Sequence, residues 1–144
     1  MEREGNNLNL VLDSSVIIKW FSQEDDSDKA LKLREQFIEG SIIIAVPDLQ
    51  LYEIANALRY NKNIEKEIIS EAVESLIDIG LSIIVPTKDT IKIAVGIAFE
   101  FNITVYDACF VALAKELSFA FVTADNNLYN KLRKLNFVKL LKNL

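Results

Sequence analysis

The chain has 144 residues, enough for one domain with a proper hydrophobic core, and its apolar fraction of 51% argues against a disordered chain. No uninterrupted apolar stretch approaches the ~18–20 residues of a membrane span, so we expect no contact with a membrane. The formal net charge is −5, and because the C-terminal stretch is basic, the preceding residues are more acidic still, which disfavours non-specific phosphate binding.

Short apolar runs alternate with longer segments of helical period, which is typical of an α/β domain with a mainly parallel sheet of four to five strands. The predicted strands are residues 8–13, 42–46, 81–85, 119–123 and 136–140. The predicted helices are residues 14–20, 26–39, 48–61, 64–79, 89–101, 106–117 and 126–134. No linker, repeat or low-complexity segment divides the chain, so we expect a single domain over residues 1–144, in which residues 1–7 form a polar N-terminal tail.

Four residues at the ends of predicted helices have the character of helix caps. Asp48 and Asp89 stand at the predicted starts of two helices, where an N-cap is expected, and aspartate is a preferred N-cap. Gly40 and Gly80 follow the last turns of their helices, where a glycine in the left-handed conformation commonly ends a helix. These residues support the boundaries of the helices that they flank.

Three aspartates stand where apolar runs begin or end. Asp13 ends the first predicted strand, Asp125 follows the fourth, and Asp107 directly precedes an apolar run in the sixth helix. A carboxylate at such a place is costly unless it is hydrated, paired or bound to a metal. Ligands bind at the carboxyl ends of parallel strands. If strands one and four are neighbours in the sheet, Asp13 and Asp125 lie at the same edge.

Glu53 is a fourth acidic candidate, on the third predicted helix. By the i, i+3, i+4 spacing of a helix it shares a face with Asn56 and with apolar side chains, rather than with other charges. A glutamate on an inward stripe needs a partner. Lys19 or Arg59 can supply one, in which case Glu53 has only a structural role.

Each aspartate also has a purely structural explanation. Asp13 and Asp125 can be the N-caps of the helices that follow them. Asp107 can occupy the N3 position of a capping box opened by Thr104. Capping does not account for Glu53, and the four acids taken together therefore favour a shared functional site.

The chain contains no histidine, which limits the chemistry of such a site. A histidine general base, a Ser/His/Asp triad and a histidine-ligated zinc site are all excluded. Carboxylate oxygens remain, and they suit Mg²⁺ or Mn²⁺. Cys109 is the single cysteine, and its place in the apolar run after Asp107 predicts a core residue. Without an intrachain disulfide or the features of a signal peptide, a cytoplasmic location is expected.

Four segments carry a resemblance to a known family, and they follow one another in that family's order. They are residues 11–20 (VLDSSVIIKW), 47–58 (PDLQLYEIANAL), 106–114 (YDACFVALA) and 122–125 (VTAD). Each segment is short and degenerate, but together they are specific and span nearly the whole chain. The chain resembles the PIN-domain ribonucleases, and in particular the VapC-type toxins of toxin–antitoxin pairs.

This resemblance implies a three-layer α/β/α fold and a cluster of four catalytic acids, Asp13, Glu53, Asp107 and Asp125, that holds Mg²⁺ or Mn²⁺. It also implies metal-dependent cleavage of RNA phosphodiester bonds by an endoribonuclease. The implied partners are the RNA substrate, a second copy of the chain in a homodimer, and an inhibitory VapB-like antitoxin.

Phosphodiester hydrolysis needs an activated water and stabilisation of negative charge, and a bound divalent ion provides both. We expect Asp13 and Asp107 to be the principal metal ligands, with Asp125 completing the site or a second metal position. Glu53 either binds the metal through water or orients the attacking water. Because clustered carboxylates repel one another, at least one should have a raised pKa without metal.

Three further residues are accessory candidates. Ser14 and Thr123 are placed to donate hydrogen bonds to the metal ligands, and Asn56 lies on the same helix face as Glu53. Trp20 and Phe21 are placed to line a groove for an antitoxin peptide, or simply to pack in the core.

Besides a DNA nuclease of related fold, which the sequence does not exclude, two other functions are alternatives. The chain can be a non-catalytic module of the same fold that binds RNA or a protein without cutting. It can also be a phosphotransferase with Asp13 as a covalent nucleophile. The second function is disfavoured, because that chemistry usually has an aspartate two residues on, where this chain has Ser15.

Overall fold

The computed structural model of the protein describes residues 8–144, and its helices and strands follow the predicted order. The strands are β1 (Asn9–Leu12), β2 (Ile43–Pro47), β3 (Ser82–Ile84), β4 (Ala120–Thr123) and β5 (Val138–Leu140). The α-helices are α1 (Ser14–Ile17), α2 (Ser27–Ile38), α3 (Leu49–Arg59), α4 (Lys66–Asp78), α5 (Lys88–Phe101), α6 (Val105–Leu117) and α7 (Asn126–Leu132). Short 3₁₀ turns follow α1 and β5. The predicted polar tail, residues 1–7, lies outside the described residues.

The strands form one sheet in the order β3-β2-β1-β4-β5, and each neighbouring pair is parallel. The predicted parallel sheet of four to five strands is therefore confirmed. The central strand β1 lies between β2 and β4, and Leu12 at its end is opposite Val122 of β4. The segments that leave β1 and β4 consequently start side by side at the carboxyl edge of the sheet.

Helices cover both faces of the sheet, as the alternation of side chains along β1 shows. Leu10 and Leu12 pack into one buried cluster with side chains of α1 to α4. Val11 points the other way, into a second cluster with α5, α6 and α7. This arrangement is the expected three-layer α/β/α fold. Cys109, predicted to be a core residue, borders the second cluster and is only half-buried.

Two glycines end helices in the predicted manner. Gly40 follows α2 with a φ of +85°, and Gly80 follows α4 with a φ of +100°. A side chain is strained in this left-handed region, because its Cβ approaches the backbone, whereas glycine adopts the region freely. The positions of α2 and α4 could therefore be predicted closely from these residues.

Of the two predicted aspartate caps, the position of Asp48 is confirmed and that of Asp89 is wrong. Asp48 stands at the N-cap position of α3, but its backbone is already helical and its side chain makes no capping hydrogen bond. Asp89 lies inside the first turn of α5, and Thr87 is the N-cap. Thr87 and Thr90 form a reciprocal capping box there, in which the side-chain hydroxyl of each residue accepts a hydrogen bond from the backbone N–H of the other. The carboxylate of Asp89 is therefore not needed as a cap.

Within residues 8–144, no single helix is long and apolar enough to span a membrane. The adjacent helices α5 and α6 reach the required length and composition only when joined, and they are bent by 117° relative to each other.

Candidate functional site

Asp13 lies directly after β1 and is held by two hydroxyl groups. Its side chain is buried, and its backbone N–H donates to the carbonyl of Val122 at 2.9 Å. The hydroxyls of Ser15 and Thr123 both donate to the same carboxylate oxygen, Oδ2, at 2.6 and 2.8 Å. Asp13 makes no capping hydrogen bond with its side chain, so capping does not explain this residue.

The same two hydroxyls also fix the segment that leaves β4. The backbone N–H of Ala124 donates to Ser15 Oγ at 2.9 Å, and that of Asp125 donates to Thr123 Oγ1 at 3.1 Å. The ends of β1 and β4 are thereby joined through side chains as well as through the sheet. Thr123 was a predicted accessory residue, whereas sequence reasoning gave Ser15 no role at this site.

Glu53 extends from α3 towards the end of β1. The hydroxyl of Ser14 donates to Glu53 Oε1 at 2.7 Å, which is the contact expected of an accessory serine. The two cations considered as its partners are engaged elsewhere: Lys19 pairs with Glu24 at 3.3 Å, and Arg59 lies over the ring of Tyr60. Within residues 8–144, no lysine or arginine forms a salt bridge with Glu53.

The inward face of α3 differs from the predicted one. Its buried residues are Gln50, Ile54 and Leu58, whereas Asn56 is exposed and Glu53 half-buried. Glu53 therefore faces an open depression and not the core. Gln50 is fully buried and its Nε2 donates to the backbone carbonyl of Leu12 at 2.7 Å, which fixes α3 against the end of β1.

Asp125 is the N-cap of α7, and Asp107 is the third residue of α6, whose N-cap is Thr104. Thr104 caps α6 by accepting from the backbone N–H of Asp107 at 3.0 Å, and Asp125 caps α7 by accepting from that of Leu128 at 3.1 Å. The structural explanation therefore holds in part for both residues. Capping uses only one carboxylate oxygen of Asp125. At Asp107 the cap uses the backbone N–H, so the carboxylate of Asp107 is available for other contacts.

Two open depressions at the carboxyl edge of the sheet bring the predicted residues together. The first is lined by Asp13, Ser14, Glu53, Asn56 and Asp107, together with smaller contributions from their neighbours. The second adjoins it and is lined by Asp107 and Asp125, with polar residues of α7 and of the turn between α5 and α6. Asp107 belongs to both. Thr123 is fully buried beneath Asp13 and lines neither of them.

Burial and mutual repulsion raise the pKa of three of these carboxyl groups. Burial is the main cause for the raised pKa of Asp13, and the charge of Asp125 adds to it. Burial also dominates for Glu53, whose pKa is raised further by the charges of Asp13 and Asp107. The pKa of Asp107 is raised by burial, then by the charges of Asp13 and Asp125. The four carboxylates thus form one electrostatically coupled group.

The donor chemistry of this group fits a hard, hydrated cation. Among residues 8–144, no three acidic, histidine or cysteine side chains are grouped closely enough to hold an ion as a direct cage. Mg²⁺ does not need such a cage, because it keeps several waters and binds through one or two carboxylates together with substrate phosphates. The mutual repulsion of Asp13, Glu53 and Asp107 is also relieved by a nearby cation.

Trp20 and Phe21 favour core packing over an open groove. Both side chains are half-buried against the cluster on the α1 to α4 side of the sheet. The indole Nε1 of Trp20 donates to the carbonyl of Ala30 at 2.9 Å, which is a typical arrangement for a tryptophan that joins two segments. These residues therefore hold α2 in place.

Comparison with known proteins agrees with this architecture. The profile of the PIN domain matches residues 10–134. Ribonuclease VapC3 of Pyrobaculum aerophilum is 29% identical over 128 residues, which cover 86% of this chain and 95% of the relative. Two solved structures share the fold. A toxin–antitoxin complex from Klebsiella pneumoniae has a TM-score of 0.67 and 15% identity, and the match covers 90% of this chain and 94% of the other. VapBC2 from Rickettsia felis bound to a DNA fragment of its promoter has a TM-score of 0.67 and 15% identity, and the match covers 92% of this chain and 97% of the other. The chain therefore belongs to the PIN domain family.

Proposed function

We propose that this protein is a metal-dependent endoribonuclease of the VapC type, with Asp13, Glu53, Asp107 and Asp125 as its catalytic residues. One observation carries the proposal: four coupled carboxylates gather at the carboxyl edge of a PIN-domain sheet, and no lysine or arginine within residues 8–144 forms a salt bridge with any of them. A structural network would neutralise such charges with cations. Here the charges stay available for a metal ion.

Asp13 and Asp107 are the proposed principal ligands of Mg²⁺ or Mn²⁺, and Asp125 completes the site. When bound, the ion lowers the pKa of a coordinated water and offsets negative charge on the phosphate. Hydrogen bonds from Ser15 and Thr123 occupy Oδ2 of Asp13, which leaves Oδ1 in a fixed orientation for this role.

Glu53 is the proposed proton acceptor for the attacking water. Its Oε1 is held by Ser14, so that Oε2 remains for the water. As the oxygen of water bonds to phosphorus, its proton passes to Glu53, the bond between phosphorus and the leaving oxygen breaks, and solvent supplies the proton for the leaving oxygen. A glutamate within hydrogen-bond reach of a water can accept its proton as a general base. Asn56 lies in the same depression, within reach of the substrate.

A VapB-like antitoxin and a second copy of the chain are the proposed protein partners, in the cytoplasm. Support comes from the similarity to ribonuclease VapC3 and from the fold shared with toxin–antitoxin complexes. The acidic depression would attract an arginine of an inhibitory peptide, since arginine pairs with carboxylates through two parallel hydrogen bonds. Co-expression with the neighbouring reading frame followed by affinity purification tests the partnership, and failure to co-purify counts against it.

Cleavage of total RNA tests the activity. Purified wild type, Asp107→Asn and the control Asp89→Asn are each incubated with and without Mn²⁺, and the new RNA ends are mapped. Asp89 is exposed on α5 and lines neither depression. Asp89→Asn changes the net charge by the same amount as Asp107→Asn, but away from the candidate site. We expect Mn²⁺-dependent cuts from wild type and Asp89→Asn only. Equal cutting by Asp107→Asn would exclude the assignment.

A further inference from the structure

The second depression differs from the first in its charge. Among residues 8–144, three acids and no cation line the first one, which contains Asp13, Glu53 and Asp107. Two acids, Asp107 and Asp125, line the second, and Lys131 opposes them. Apart from these charges, the second depression offers neutral polar groups, those of Asn102, Thr104 and Asn127. Lys131 can therefore attract one negatively charged group, and the neutral side chains can form hydrogen bonds with the rest of a ligand.

We propose that this second depression is a nucleotide subsite next to the cleaved bond, with Lys131 as its phosphate contact. The inference rests on the proposed ribonuclease function and deepens it. Because Asp107 lines both depressions, an RNA strand whose cleaved phosphate lies at Asp107 extends from there along the surface. The second depression is the less repulsive direction for the neighbouring phosphate, since its formal charge is less negative.

The position of Lys131 is fixed by α5. Its Nζ donates to the backbone carbonyl of Asn102 at 3.0 Å. Asn102 ends α5 in the left-handed conformation, with a φ of +55°, which turns the chain at the depression. An ammonium group has three N–H donors, so two remain for a phosphate.

Lys134 provides a matched comparison on the same part of the chain. Its Nζ pairs with Glu100 at 3.6 Å and lies over the ring of Phe101, and the residue does not line the second depression. Replacing either lysine by methionine removes the same charge from the protein. A difference between the two variants therefore reports on the position of the charge and not on its amount.

The test is binding of a fluorescent single-stranded RNA in Mn²⁺ over a range of NaCl concentrations, with Glu53→Gln as the background to prevent cleavage. We expect Lys131→Met to weaken binding about 10-fold at low salt and to reduce the slope of log K against log salt by about 0.7, the value for one phosphate contact to a single strand. We expect Lys134→Met to change the slope by less than half as much.

Three outcomes would overturn the subsite: no binding by the Glu53→Gln protein, no effect of Lys131→Met, or equal effects of the two lysine variants. Cleavage by Lys131→Met in the otherwise native protein is measured separately, and there KM should rise about 10-fold while kcat changes little. If the native protein binds RNA through Lys131 but never cuts it, the ribonuclease proposal fails, and Lys131 is then an RNA contact of a non-catalytic protein.

Discussion

The hydroxyl of Thr123 donates a 2.8 Å hydrogen bond to Oδ2 of Asp13, across 110 residues of sequence. The bond joins the ends of the neighbouring strands β4 and β1, and both groups are buried. A buried carboxylate held in this way keeps its orientation before any ligand arrives, because its surroundings leave it little freedom to rotate. Ligand orientation of this kind supports metal affinity in proteins.

Thr123→Val should therefore weaken Mn²⁺ binding about 10- to 100-fold, since it removes the donor while keeping the shape of the side chain. Isothermal titration calorimetry measures the affinity. Thr90→Val is the control, because Thr90 is also buried and donates to a carboxylate, that of Glu116, at a place away from the depressions. Equal Mn²⁺ affinity of the Thr123 variant and wild type would contradict the role given to this hydroxyl.

Asp13→Asn should reduce Mn²⁺-dependent RNA cleavage by at least about 100-fold, in line with losses seen when a catalytic electrostatic group is removed. Without metal the variant should be more stable than wild type by about 0.5–2 kcal/mol, because it buries no charge at this position. An RNA cleavage assay and urea unfolding in EDTA measure the two quantities. A variant with full activity, or one that is less stable without metal, would contradict the assignment.

The metal-free protein should lose stability as the pH rises. The folded-state pKa values of Asp13, Glu53 and Asp107 lie above the ordinary values of 3.8 for aspartate and 4.5 for glutamate. Between the ordinary and the raised values the folded state holds more protons than the unfolded state, so the free energy of unfolding falls with pH. The contribution is complete below the ordinary values and is lost as the pH passes through the raised ones.

Comparison with Asp107→Asn isolates this effect from other titrating groups. The difference in unfolding free energy between wild type and variant, measured by urea titration in EDTA over a series of pH values, should shift in favour of the variant as the pH rises. A constant difference, or a shift in favour of wild type, would show that the Asp107 carboxyl group has no raised pKa in the folded protein.

Gln50→Ala should destabilise the protein by about 2–4 kcal/mol. The substitution leaves the carbonyl of Leu12 without its buried donor, which costs about 1–3 kcal/mol, and it also opens a cavity. Gln23→Ala, at an exposed position, is the control and should change stability by no more than about 0.5 kcal/mol. Equal melting temperatures of the two variants would rule out a structural role for Gln50.

Much of the fold could be predicted because local chemistry and tertiary structure agree there. The apolar runs became strands, and Gly40 and Gly80 ended α2 and α4, since their requirement for a left-handed backbone is local. The cap predicted at Asp89 is wrong because other side chains cap that helix. Thr87 and Thr90 form the hydrogen bonds that cap the start of α5. The position of Asp89 in the sequence does not by itself show that these threonines cap the helix instead.

The carboxylates of the candidate site could be predicted from the sequence, whereas some of the residues that hold the site in place could not. Asp13 and Glu53 stood out in the sequence because charge is unusual beside apolar runs. Ser15 and Gln50 did not, because serine and glutamine are ordinary residues in helices. Their contacts, with Oδ2 of Asp13 and with the Leu12 carbonyl, exist only once β1, β4 and α3 have come together. A signal for Gln50 was present in its spacing from Ile54 and Leu58, which marks the buried stripe of α3.

The strand order also governs when the protein becomes competent during its synthesis. A chain synthesised only to the end of α6 contains Asp13, Glu53 and Asp107, but it lacks β4, so β1 has no neighbour on that side. The hydroxyl of Thr123 and the carboxylate of Asp125 arrive only with the last fifth of the 144 residues. Products of interrupted translation that end before Asp125 therefore lack one of the four carboxylates, and the proposed activity requires chains that extend beyond it.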